Sequence, residues 1–131
     1  MGIDVYDFRI GLRNDGPKPV RDFRLEVEVP NAYANPSHNS VAEIREHNRG
    51  DVRLYRRVAR ELERGFELYP GEARQTALSL DFQVTFDQYR AGVKGSIIVI
   101  LYADDIEVSR VAHPIADMLN QERVKHLLGG Q

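Results

Sequence analysis

The densest chemistry in this chain is a run of arginines. Arg45, Arg49, Arg53, Arg56, Arg57, Arg60 and Arg64 stand against four acids (Glu46, Asp51, Glu61 and Glu63), a local net of +3 in a chain whose overall charge is −2. Guanidinium groups grip phosphates and carboxylates through paired hydrogen bonds, so such a cluster is suited to nucleic acid or to an acidic protein. Wound as a helix at about 100° per residue, Arg53, Arg56, Arg57, Arg60 and Arg64 share one face, and Leu54, Tyr55, Val58, Ala59 and Leu62 share the other. Those five arginines are the candidate partner-binding residues. The plainer account is a solvated face laced with pairs such as Arg57–Glu61. Only Tyr55 interleaves with the arginines, whereas tolerant nucleic-acid binding stacks successive bases on several aromatics.

Other chemistry is sparse. His38, His47, His113 and His126 are scattered. Glu43, Glu46 and His47 would share a helical face, but no second histidine stands four residues away as in a zinc-binding helix. Asp104-Asp105 offers too few oxygens for a calcium loop and reads as a hairpin turn. Ser37, Ser40, Ser79, Ser96 and Ser109 all lie outside the G-x-S-x-G elbow of a serine nucleophile. No glycine-rich nest precedes a helix; Gly92 and Gly95 read as hairpin punctuation. The chain has no cysteine, which removes thiol nucleophiles, disulfides and cysteine-held metals. Arg49-Gly50-Asp51 spells an adhesion tripeptide and reads as a turn. Gly129-Gly130-Gln131 spells the tripeptide of peptide-release factors and reads as a frayed end. No catalytic residue, metal or cofactor is expected, and the chain reads as a non-enzyme.

The elements that must position any site are mostly strands. At 131 residues with 42% hydrophobic and 29% charged residues, the chain is long and apolar enough for one folded domain. Tyr6, Phe8, Ile10 and Leu12 alternate with Asp7, Arg9 and Arg13, which predicts a half-buried strand. Asn14-Asp15-Gly16-Pro17 makes a turn, with Gly16 free to adopt positive φ. Phe23, Leu25, Val27 and Val29 alternate with Arg24, Glu26 and Glu28 in a second strand that stops at Pro30. Residues 31–39 are loop by composition. Tyr69-Pro70-Gly71-Glu72 has the residues of a type II turn. It launches a strand with Thr76, Leu78, Leu80, Phe82, Val84 and Phe86 on one side. Gly95 to Ala103 is apolar on both faces, as a central strand is, and it closes a hairpin with Ile106 to Val111. Pro114 suits the first turn of a helix running to Gly129.

Ser40 to Gly65 admits two readings. Ser40 and Glu43 form a capping-box pattern and Asp51 caps a second helical segment closed by Gly65. Alternatively, residues 42–47 and 52–58 pair as a hairpin across Asn48 to Asp51, with Val52, Leu54 and Val58 on a face that Arg56 interrupts. The hairpin is preferred, because five strands are too few for a β-sandwich of about seven. The expected fold class is therefore all-β: an immunoglobulin-like β-sandwich over residues 1–114 with a C-terminal helix and tail over 115–131.

An N-x-G turn between two strands, then a polar stretch, then L-x-P-G-E, a long strand and a final hairpin, resembles the immunoglobulin-like sandwiches of the CARDB type. The markers are Asn14, Gly16, Pro70, Gly71 and Glu72, and the likeness spans Arg9 to Ile115. It departs in the Arg-rich insert before Leu68 and in the C-terminal tail. The resemblance implies an accessory module of bacterial multidomain proteins, with folding markers and no shared catalytic residues. A non-catalytic protein-interaction or structural role with a protein partner is expected; an accessory nucleic-acid-binding role through the arginines is the first alternative, and an enzyme whose site is assembled only in space is the second. The acidic, already alternating N-terminus does not read as a signal peptide and no apolar run spans a membrane, so a cytoplasmic location is expected.

Overall fold

A computed structural model describes residues 2–21, 23–35, 42–43, 50–58, 67–103 and 106–119. Nine strands are described: β1 (Ile3–Arg13), β2 (Val20–Arg21), β3 (Arg24–Pro30), β4 (Ala42–Glu43), β5 (Val52–Val58), β6 (Glu67–Leu68), β7 (Ala73–Thr85), β8 (Ser96–Ala103) and β9 (Ile106–Pro114). One helix, α1 (Phe86–Ala91), follows β7. All the pairings are antiparallel. The strands form a β1–β7 ribbon, a short β2–β6 pair and a five-stranded sheet in the order β4-β5-β3-β8-β9.

Alternation explains the core. Leu25, Val27 and Val29 of β3 are fully buried, while Glu26 and Glu28 point to the opposite side. Leu80, Phe82 and Val84 of β7 and Phe8 and Ile10 of β1 are buried in the same cluster as Ile97 and Val99 of β8. The core thus lies between the ribbon and the five-stranded sheet, and Phe8 meets His113 of β9 edge to face across it. As its two-sided apolar pattern predicts, β8 is central, with β3 and β9 as neighbours.

The markers of the two turns meet in one joint. Asn14 is buried. Its backbone N–H donates to the Glu72 carbonyl (2.9 Å), and its own carbonyl accepts from Gly71 N–H (2.8 Å). Its side-chain Nδ2 donates to the carbonyls of Lys18 (2.7 Å) and Leu68 (2.9 Å), and its Oδ1 accepts from Gly16 N–H (3.0 Å). Gly16 has no positive φ; the Asn14 side chain closes that turn instead. In the second turn, Glu72 N–H donates to the Tyr69 carbonyl (3.0 Å), and the Glu72 carboxylate accepts from Tyr69 N–H (2.7 Å). Gly71 sits at φ 82° behind Pro70, as a type II turn requires. A β-branched residue is strained at that φ. Gly71→Val should therefore cost about 1–3 kcal/mol in chemical denaturation; an unchanged midpoint would contradict the turn.

Four expectations change. Phe86 does not continue β7 inward. It opens α1 and is partly exposed, because Thr85 and Gln88 form a capping box that turns the chain into a helix. Gly92 is the residue that ends α1, at φ 94°, rather than hairpin punctuation. Pro114 ends β9, and Ile115–Met118 is a single 3-10 turn followed by extended Leu119; residues 120–131 lie outside the described residues. Residues 31–33 of the expected loop form a 3-10 turn with Tyr33 buried, and Ala34 then bridges Phe82 of β7.

In the stretch with two readings, residues 42–43 and 52–58 pair antiparallel, as the hairpin requires. Ala42 pairs with Arg56 and Glu43 with Tyr55. The inward residue of β5 is Tyr55, opposite Val27, so Val52 and Leu54 take the outward side.

Candidate functional site

The outward side of the five-stranded sheet carries the most developed surface feature. Register fixes its rows. Glu26 of β3 stands between Arg56 of β5 and Ile100 of β8; Glu28 stands between Leu54 and Ile98. Arg110 of β9 lies opposite Ile100. It reaches across to Glu28, donating from Nη1 to Oε2 at 3.1 Å. Ile100, though outward, is only 5% exposed. One row further, Arg24 lies opposite Tyr102, its guanidinium 4.2 Å from the ring centroid and its Nε 3.5 Å from Glu26.

These residues bound a groove of about 700 Å³ lined by Glu26, Glu28, Asp51, Val52, Leu54, Ile100, Tyr102 and Arg110. Its lining holds three carboxylates against one guanidinium, interleaved with four apolar or aromatic residues. Glu28 accepts from Arg110, and Glu26 lies 3.5 Å from Arg24 Nε. A surface of this kind presents apolar contact with charge fixed at set places. It suits recognition.

Of the arginines singled out from the sequence, Arg53 and Arg56 lie on opposite sides of β5. In a strand, successive residues point to opposite sides, so β5 separates Arg53 from Arg56. Arg53 stands opposite Val29 and donates from Nε to Asn31 Oδ1 at 2.7 Å; Arg56 stands exposed opposite Glu26. Arg57 holds the register position opposite Leu25. Arg60 and Arg64 lie outside the described residues, as do Arg49 and Asp104-Asp105. The structural markers Asn14, Gly16, Pro70 and Gly71 do come together, in the joint described above, at the end of the ribbon and away from the groove. The groove residues Glu26, Glu28, Leu54, Tyr102 and Arg110 were not singled out from the sequence. The alternation of β3 signals that Glu26 and Glu28 share a side, but which strands flank them is not a local property.

Elsewhere, Tyr89 of α1 is buried and donates from its hydroxyl to Asp4 Oδ2 at 2.8 Å, while also bonding the Tyr6 hydroxyl. Burial first, then the bonds to Tyr6 and Asp4, push the Tyr89 hydroxyl far above its ordinary pKa. It stays protonated and ties α1 to β1. Among the described residues, no three of His, Asp and Glu group as a metal site would require. Among them too, no helix is long and apolar enough to cross a membrane.

No protein-family model, no curated protein and no solved structure matches this chain.

Proposed function

We propose that this chain is a non-catalytic protein-interaction module, an immunoglobulin-like sandwich of the CARDB type, and that it binds through the outward groove of its five-stranded sheet. The layered antiparallel sheets and the buried Asn14 joint support the fold reading. The groove carries the functional one. Its glutamates face Arg24 and Arg110, and its lining is apolar as well as charged. Within the lining itself three carboxylates meet one guanidinium, with Arg24 and Arg56 beside it, which favours an extended protein segment with basic and apolar residues. The same balance disfavours a phosphate backbone, which repels such a surface.

The test is a titration of isotope-labelled protein with extended peptides of alternating lysine and valine, read by amide chemical shifts. Shifts should be confined to β3, β5, β8, the turn at Asp51 and the part of β9 around Arg110. The double variant Leu54→Ser, Tyr102→Ala should keep the fold and weaken binding about tenfold or more, as loss of an interface's apolar anchors does. A short oligonucleotide that binds near physiological salt, with loss on replacing Arg53, Arg57 and Arg60 by Gln, would instead establish nucleic-acid binding and overturn this reading.

A further inference from the structure

The five-stranded sheet ends in β9, an edge that no described residue pairs with on its outer side. In β9 every residue from Glu107 to Ala112 is exposed, on both sides of the strand, and Val108 and Val111 remain about half exposed. Its pairing to β8 is regular from Ser109 to Pro114, with the one irregularity nearer its start. An edge strand presents a row of backbone N–H and C=O groups, a template for another strand. The ribbon's edges are less suited: β7 is bridged at Phe82 by Ala34, and β1 is irregular. Its ladder is broken between Arg9 and Gly11, and its inward residues Phe8 and Ile10 are buried. Bulges blunt edge pairing.

We propose that β9 pairs antiparallel with β9 of a second copy of this chain, about a two-fold axis at Val111. Directly opposite residues of an antiparallel pair share a side, so only registers centred on a residue keep the sheet continuous. Centring on Arg110 would set two guanidinium groups face to face, which is destabilising. Centring on Ser109 would set Glu107 against Val111. Centring on Val111 sets that exposed valine against its twin. Arg110 then lies beside Ala112 of the second copy, and Ser109 faces its His113, a hydroxyl against an imidazole. Like charges meet nowhere between Ser109 and His113. The valine pair also closes over the mouth of the cleft between the sheets, a volume of about 380 Å³ whose walls include Phe8, Leu101, Val111 and His113. Isologous pairing of this kind is closed: each copy consumes the other's edge and the assembly stops at two. The result is a ten-stranded sheet with both outward grooves on one side, each bounded by its Arg110 near the seam. The inference rests on the edge alone and stands whether or not the groove binds a peptide.

The chain has no cysteine, so an introduced one reports the register directly. Residues opposite each other lie about 4.5–5.5 Å apart between Cα atoms, within disulfide reach. Val111→Cys should therefore cross-link to itself under mild oxidation. Arg110→Cys should not, since two residues of offset put its twin roughly 8 Å away. Ser109→Cys mixed with His113→Cys should cross-link only as the mixture. The parent chain should sediment with twice the mass of one chain at about 100 μM, a usual working concentration for a protein pair held by a standard interface. Val111→Lys should sediment as a folded monomer, its circular dichroism unchanged because the position is exposed. A parent chain that is monomeric under these conditions overturns the proposal. So does a dimer that survives Val111→Lys, or one that cross-links through Arg110→Cys in preference to Val111→Cys.

Discussion

Replacing Asn14 by alanine should destabilise the protein by about 3 kcal/mol or more, a large share of the stability of a domain this size. The side chain is 4% exposed and answers three backbone groups: the carbonyls of Lys18 and Leu68 and the N–H of Gly16. Each group left buried without a partner costs about 1–3 kcal/mol. The Leu68 carbonyl, 54 residues away, carries most of the loss, because that bond is buried whereas the other two are partly open to water. Asn14→Asp separates the contributions. It keeps the acceptor for Gly16 and sets a carboxylate against two carbonyl oxygens, so it should be at least as damaging as alanine. Urea denaturation should show both midpoints lowered with the slope unchanged. An alanine variant within 0.5 kcal/mol of the parent, the range of about ±0.5 typical of inert surface changes, would mean that the joint does not hold the two turns together.

Phe82→Ala should cost about 3–5 kcal/mol, the usual range for emptying a buried aromatic site. Phe82 is 1% exposed, in the C-terminal half of the longest described strand, and its ring stacks on Tyr6 with centroids 5.2 Å apart and planes 13° from parallel. Its backbone is also where Ala34 bridges to β7. Neighbouring strands on this ribbon cannot close the void by a side-chain shift alone, since Phe8, Leu80 and Val84 are already packed around it. Phe82→Leu keeps most of the volume and should lose about 1 kcal/mol. The control is Val5→Ala, on the solvent side of the same ribbon and 55% exposed, which should stay within about 0.5 kcal/mol of the parent. Thermal unfolding followed by near-ultraviolet signal ranks the three variants, and an equal loss for Phe82→Ala and Val5→Ala would place Phe82 outside the core.

The residues of the Asn14 joint were visible in the sequence as turn formers, but their contact was not. Asn14 and Gly71 each look like local punctuation, yet the hydrogen bonds that make them indispensable cross from one turn to the other. The helix after β7 was legible in Thr85-Phe86-Asp87-Gln88, a capping box. It was obscured because Phe86 also extends the apolar alternation of Leu80, Phe82 and Val84. There the terminal hydrogen bonds of the helix outweigh a sixth inward side chain.

The arginines show the limit most clearly. Sharing one face depends on a period of 3.6; at the period of two that β5 takes, Arg53 and Arg56 fall on opposite sides, while Arg60 and Arg64 lie outside the described residues. Neither period wins on local grounds. Val52 to Val58 becomes a strand because β3 offers it a full edge, and Tyr55 can then be buried over Val27. By itself the sequence determined what a single strand decides: β-rich architecture, the inward faces of β1, β3 and β7, the central place of β8 and the type II turn at Gly71. Those follow from steric alternation and backbone preference within a few residues. Only the tertiary structure decided that β3 lies between β5 and β8. That placement sets Glu26 and Glu28 among Leu54, Ile100, Tyr102 and Arg110 and leaves β9 as an open edge. Strand order is settled by the mutual burial of faces far apart in the chain, a choice that no local pattern encodes.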